Sequence, residues 1–513
     1  MLILHPKIYL AASPTATTDA LLIRDGHVLA VGDQARRLGH GEALVEPGGA
    51  CLFPALADAH IHLWGLGLRE DTVNLRGMSP EAIYVALSAA SPGPHGWVFG
   101  THWDDNLWPE GETLALGELD RLFADTPVSL RRVDGHALWV NSAALRRANI
   151  TRESQCGEGG RIDRDASGAL SGLLVDHGMD RVLAAIEPPS QDEDLAVFER
   201  SARMLRGFGV ASAHMAWMQI DRLAMLQAMH GAGTLPLRVY LMIDGEDPGL
   251  AGLLAAGPQH DEQAWLSWRA VKFFADGAMG SRGARMLEPY RGGGQGLRIY
   301  GAGELAKSSA ALMAAGWQVA VHAIGDAAVR EVLDAFAGVD GEVRARLRPR
   351  LEHAQIVSEQ DFARFGELST IASIQPIHMR SDAPWAARML HAEQLAGLYA
   401  WRKLAAHTGF AGGSDYPIDD PNPWHAIATA ISRRDANEQV FAEDQALSRT
   451  EALGAYTEGA AFAAHWEQVL GKLEAGFAAD VIALDRDPFL EPPESIWNTQ
   501  VVDMWIAGKR QDL

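Results

Sequence analysis

Eight short apolar segments set the rhythm of the chain, at residues 52–63, 209–215, 237–243, 268–276, 317–322, 350–353, 370–375 and 409–415. Helix-like segments, such as 326–336 and 358–367, separate the later ones. A parallel crossover needs a helix-sized connection, so strands alternating with helices imply parallel βαβ units. A count of eight implies a closed (β/α)8 TIM-type barrel, an α/β fold.

The two ends of the chain keep a different rhythm. Residues 1–54 hold short apolar runs at 7–10, 20–24 and 27–31, with turns at Asp25-Gly26 and Gly32-Asp33. Residues 469–513 hold similar runs at 480–485 and 501–507, with turns at Ala475-Gly476 and Gly508. Neither piece makes a stable sheet alone, so the two termini are predicted to meet in one small β-domain beside a barrel spanning 55–468. The stretch from about 64 to 200 breaks the barrel rhythm. It carries Trp, Pro and Gly loops and a strand of its own at 128–133. It follows the first barrel strand, at the face where a barrel's active site lies, and reads as an insertion or lid.

With 513 residues, 48% hydrophobic and 21% charged, the chain has the make-up of a soluble globular protein of more than one domain. A formal net charge of −22 argues against nucleic acid or an anionic membrane surface as partner, since both select a basic face. Cys51 and Cys156 make neither a disulfide framework nor a thiolate cluster, so any metal must be held by nitrogen and oxygen. The start, Met-Leu-Ile-Leu-His-Pro, lacks the basic region of a signal peptide. No run approaches the roughly 18 apolar residues of a membrane span. A cytoplasmic location is the expectation, and a homo-oligomer stays open.

Four of the eight strands end in a residue suited to a metal. The first ends in His60-x-His62, whose side chains, two apart, point the same way. The fifth ends in His322, the sixth in His353 and the eighth in Asp415. In a barrel the carboxyl ends of the strands converge on one mouth, so these scattered residues become neighbours. Lys272 sits in the apolar strand Ala270-Val-Lys-Phe-Phe-Ala275. An ammonium buried there loses its proton rather than stay unpaired. The neutral amine can take up CO2 to form a carbamate, an anion with two oxygens suited to bridging two cations.

The segments Ala57-Asp-Ala-His-Ile-His62, Val271-Lys-Phe-Phe-Ala-Asp-Gly277, Val321-His-Ala-Ile-Gly-Asp326, Glu352-His-Ala-Gln355, Gly413-Ser-Asp-Tyr-Pro417 and Leu473-Glu-Ala-Gly-Phe-Ala-Ala-Asp480 resemble the amidohydrolase superfamily. The branch they resemble is that of the N-substituted formamide deformylases, and Asp134-Gly-His-Ala-Leu-Trp-Val-Asn141 is similar to it as well. The resemblance implies a metal-dependent hydrolase acting on a small amide-type substrate, built as a (β/α)8 barrel flanked by a small β-sandwich from both termini. It further implies that His60, His62 and Asp415 hold one zinc ion, His322 and His353 a second, and carboxylated Lys272 the space between.

In that chemistry Asp415 takes a proton from the attacking water and passes it to the leaving nitrogen, so Asp415 and Lys272 are the expected catalytic residues. His136 and Asn141 of the insertion, Arg282 after the lysine strand, and Gln375 and His378 after the seventh strand are candidate substrate contacts. Trp64, Trp103, Trp139, Trp217 and Trp385 are candidates for the wall of an apolar pocket or for ordinary packing. Two other readings stay open: a mononuclear zinc deaminase on the same fold, and a non-catalytic regulatory protein that retains the barrel.

Overall fold

The computed structural model describes residues 1–64, 72–93, 95–109, 112–301 and 303–513. Its centre is a parallel sheet of eight strands: β1 (Leu56–Ile61), β2 (Val210–Met218), β3 (Arg238–Asp244), β4 (Leu266–Phe274), β5 (Gln318–Ala323), β6 (Arg350–His353), β7 (Ile371–Ile374) and β8 (Phe410–Gly412). They pair in sequence order from β1 to β8. Just past β8 the sheet nearly closes on itself. The Asp415 N–H donates to the His60 carbonyl at 2.7 Å, and the His62 N–H donates to the Tyr416 carbonyl at 2.8 Å. The sheet is a TIM-type barrel.

The sequence dictates this arrangement through continuous burial. Strands such as β3, Arg-Val-Tyr-Leu-Met-Ile-Asp, are enclosed on both faces. They therefore read as apolar runs rather than as the alternating pattern of a half-exposed sheet. Helices such as Asp326–Ala337, after β5, and Phe362–Glu367, after β6, pack outside. Val329, Val332, Leu333 and Phe336 of the first share a core with β5 and β6.

The apolar stretch 52–63 is not one strand, as its composition suggests, but two. Cys51–Pro54 pairs antiparallel with Val481–Leu484, whereas Leu56–Ile61 pairs parallel with β2. The change of partner falls just past Pro54: the Ala55 N–H still bonds the Asp480 carbonyl at 2.9 Å, and the Leu56 N–H already bonds that of Gly209 at 2.9 Å. Cys51–Pro54 belongs to a second eight-stranded sheet that joins both ends of the chain. Lys509–Arg510, Val501–Ile506 and Val481–Leu484 lie on one side of it, and Leu2–Tyr9, Thr17–Arg24 and His27–Val31 on the other. Ile3, Ile8, Leu21, Leu52, Val481 and Trp505 share its apolar core.

Between β1 and β2 the chain builds a third sheet, of six strands, ordered Gly160–Arg164, Leu170–Asp176, Ala137–Val140, Val128–Arg132, Val98–Trp103 and Val73–Asn74. Of the stretch read as an insertion, residues 65–71, 94, 110 and 111 lie outside the described residues. Alternate side chains of Ala137–Val140 feed two cores: Trp139 packs with Trp103 and Leu130, while Leu138 and Val140 pack with Trp97 and Phe99. This sheet leans on the carboxyl end of the barrel. His102 Nε2 bonds the Pro417 carbonyl at 2.7 Å, Arg76 donates to Ile418 at 3.0 Å, and Asn106 donates to Gly280 at 3.3 Å. The approach is close: Gly135 has φ +76°, and a Cβ there would stand 2.7 Å from Ile418 Cδ1. Among the described residues no helix is long and apolar enough to cross a membrane.

Candidate metal centre

The carboxyl end of β1 places His60 and His62 with ring centroids 5.4 Å apart. Asp415, beyond β8, brings Oδ1 to 2.9 Å from His62 Nε2 and 3.3 Å from His60 Nε2. That oxygen nevertheless meets neither ring in hydrogen-bond geometry. Three donors converge without satisfying one another, an arrangement that a cation resolves. Asp415 is also common to a second group, with His353 and His378; in each group one donor atom per residue lies within 4.8 Å of the others. His353 and Asp415 both hold left-handed backbone, with φ of +74° and +56°.

His322, at the end of β5, sets its ring centroid 4.5 Å from that of His353, and its Nε2 lies 3.4 Å from the Gly277 carbonyl. Lys272 of β4 is 1% exposed. Its Nζ has no hydrogen-bond partner and lies 5.0 Å from the Phe274 ring centroid. Burial pushes its pKa down to about 8, against the pull of Glu352 and Asp415. Burial likewise holds His322 and His353 well below the usual imidazole range, which leaves them neutral with lone pairs to offer. Burial disfavours the Asp415 carboxylate, but His60 and His62 outweigh it and keep that carboxyl well below its ordinary pKa.

Glu352, which sequence reasoning passed over, fixes the first histidine. Its Oε2 lies 2.6 Å from His60 Nδ1, and its Oε1 accepts from Arg350 Nε at 2.7 Å. Arg350 donates in turn to the Ala59 carbonyl at 2.7 Å and to Ser373 Oγ at 3.1 Å. A carboxylate only accepts, so His60 carries its proton on Nδ1 and turns the Nε2 lone pair toward Asp415. Burial raises the Glu352 pKa, yet Arg350 and His60 bring it below the usual range. The signal was present in the sequence: two charged residues of opposite sign within the four-residue barrel strand Arg350-Leu-Glu-His353. Asp58 fastens the same corner, accepting from the His60 N–H at 3.0 Å and from Ser414 Oγ at 2.5 Å.

The candidate substrate contacts separate. His136 reaches the centre, with its ring 5.1 Å from that of His322 and its Nδ1 2.6 Å from Asp176 Oδ1. His378 lies against His353 and Asp415. Gln375 is buried where β7 gives way to the helix Pro376–Met389, and its Oε1 has no partner. Arg282 is exposed in the loop after β4. Asn141 lies apart from these. At the far end of Ala137–Val140 from His136, its Oδ1 accepts from the Val128 and Ala144 N–H groups, and its Nδ2 donates to Phe123 and Thr126. It caps the helix Ser142–Arg147 and has no hydrogen-bonding capacity left for a substrate. Of the tryptophans, Trp103 and Trp139 pack within the insertion's core, whereas Trp217 is 40% exposed beside Phe274.

The family model described as Amidohydrolase family matches residues 45–510. The chain is 31% identical over 523 residues to the Bacillus subtilis (strain 168) protein named amidohydrolase YtcJ, covering 98% of this chain and 97% of that one. It is 23% identical to the N-substituted formamide deformylase of Arthrobacter pascens, over 99% of this chain and 97% of that one. The crystal structure of an uncharacterized metal-dependent hydrolase from Pyrococcus horikoshii OT3 superposes with a TM-score of 0.78 at 27% identity, over 96% of this chain and 99% of that one. Barrel, converging donors and a family match over nearly the whole chain agree: the chain belongs to the amidohydrolase family.

Proposed function

We propose that the protein is a zinc hydrolase whose two-ion centre cleaves an amide-type C–N bond in a small molecule. The observation that carries this reading is the set of bare donors at the barrel mouth. Asp415 Oδ1, His353 Nδ1, His378 Nε2 and Lys272 Nζ are all buried there without partners. A native protein core rarely tolerates such orphans unless something else fills the space. Nitrogen and carboxylate donors with no thiolate suit zinc among the divalent ions. His60, His62 and Asp415 would hold one ion, and His322 and His353 the other.

Lys272 fits the space between the two sets. Its neutral amine attacks CO2 and sheds one proton, which leaves a carbamate in place of a buried ammonium. When bound, a pair of divalent ions supplies an acidified water and a polarised carbonyl. The protein's own residues do the rest. Asp415 accepts the water's proton and delivers it to the leaving nitrogen as the C–N bond breaks, yielding an acid and an amine. His136, brought in by the insertion and held by Asp176, touches the substrate, and Arg282 stands exposed on the loop after β4. The insertion rests on the loops after β4 and β8, which suits a wall or lid over the mouth.

The relative named N-substituted formamide deformylase makes N-substituted formamides the first substrates to try. Zinc-loaded protein is expected to release formate and amine from a panel of such formamides, with activity lost on chelation and restored by zinc with bicarbonate. A single tightly held ion with activity indifferent to CO2 would favour the mononuclear deaminase. A complete lack of metal-dependent turnover across a broad amide panel would favour the regulatory protein.

A further inference from the structure

Two separate elements bring imidazoles side by side at the second ion position. His353 ends β6, and His378 stands in the first turn of the helix Pro376–Met389, which follows β7. Their ring centroids are 6.0 Å apart and their planes 17° apart. His353 Nδ1 and His378 Nε2 are both enclosed without a hydrogen bond, and His353 is 5% exposed. Asp415 completes the triangle. Its Oδ2 lies 3.8 Å from His378 Nε2, too far for a hydrogen bond.

Enclosure decides between the two roles open to His378. A nitrogen that holds a substrate must be reachable from the mouth, yet His378 Nε2 is closed to solvent and directed at a carboxylate it does not bond. Waters would need room and two to four polar partners each. One cation instead satisfies three lone pairs at once. The donor set, two imidazoles and a shared carboxylate within 4.8 Å, is of the kind that binds zinc rather than magnesium or calcium.

We propose that His378 is a metal ligand, joining His353 and Asp415 around the second ion. This rests on the two-ion reading above and adds a ligand to it: a nitrogen from the segment after β7, where the sequence suggested only a substrate contact. The helix beginning at Pro376 would then be tied to the metal, and its first turn would order on loading.

The test counts metal in the full-length protein, with no substrate needed. Wild type, His378→Ala, His378→Phe and His378→Cys are equilibrated with zinc and bicarbonate, dialysed, and assayed for zinc per chain by mass spectrometry. Wild type is expected to hold about two ions. The alanine and phenylalanine variants should retain about one, with the second bound at least about tenfold more weakly. The cysteine variant should recover the second ion, because a thiolate is itself a zinc ligand. Cobalt substitution supplies a second readout: loss of a nitrogen ligand alters the visible spectrum in the alanine and phenylalanine variants. Two ions held with unchanged affinity in both of these overturns the assignment while leaving the two-ion centre standing. Fewer than two ions in wild type brings down the two-ion reading and this ligand with it.

Discussion

Glu352 Oε2 lies 2.6 Å from His60 Nδ1, and both side chains are fully enclosed within the barrel. The pair links His60, a proposed zinc ligand, to Arg350 and through it to β1 and β7. Removing the carboxylate frees the His60 ring to turn and strands a buried guanidinium. Glu352→Ala is expected to weaken zinc binding by about 10- to 100-fold. It should also destabilise the fold by about 3–5 kcal/mol, the usual cost of orphaning one partner of a buried ion pair. Zinc titration and denaturant unfolding measure the two effects separately. Unchanged zinc affinity in Glu352→Ala would remove Glu352 from the metal centre.

Lys272 makes a prediction about pH. Its pKa in the fold is about 8, below the usual 10.5. Between those values the unfolded chain binds more protons than the folded one, so the stability of metal-free protein should rise as pH climbs through that window. Lys272→Met should flatten this segment of the curve, as read from urea midpoints against pH. The same neutral amine is the form that reacts with CO2, so bicarbonate should speed zinc loading more above pH 8 than below it. Lys272→Ala should lose activity that short carboxylic acids partly restore; turnover indifferent to the substitution would rule out the bridge.

Some of this was legible in the sequence because a polar residue contradicted its surroundings. Lys272 inside an apolar strand and His60-x-His62 at the end of another both broke the local pattern, and both lie at the centre. Glu352 carried the same kind of signal but was overshadowed by His353 beside it. The role proposed for His378 was not legible, since it depends on the angle at which a helix leaves β7. The division of residues 52–63 between two sheets was equally hidden, because composition records burial and not the identity of the ladder partner. Asn141 misled for a related reason: a polar residue at a loop is chemically apt for a substrate and for a helix cap alike, and only its four hydrogen bonds decide.

Asp176 and His136 form a pair built by the insertion alone. The Asp176 N–H donates to the His136 carbonyl at 3.0 Å, and the two side chains meet at 2.6 Å. On the other flank Asp134 Oδ1 accepts the His136 N–H at 3.0 Å, while its Oδ2 accepts from Arg132 at 2.7 Å. The ring is thus held with its centroid 5.1 Å from that of His322. Asp176→Asn is expected to lower kcat/KM for the best formamide by about 10- to 100-fold, the worth of one hydrogen bond to a charged group. Zinc content should not change. Loss of zinc in step with activity would instead make this pair part of the metal site.

Asn141 offers the complementary case. Its side chain satisfies two backbone N–H groups and two carbonyls, all within the insertion, and it is wholly buried. Asn141→Ala removes an N-cap and leaves several of those backbone groups without a partner. Loss of the cap alone costs about 1 kcal/mol, and each buried group left unsatisfied adds about 1–3 kcal/mol. The variant should therefore unfold at a lower denaturant concentration, while the folded fraction keeps wild-type kcat and KM. Because the insertion touches the barrel through the loops after β4 and β8, limited proteolysis should cut the variant first between residues 123 and 150. A selective rise in KM with unchanged stability would return Asn141 to the substrate site.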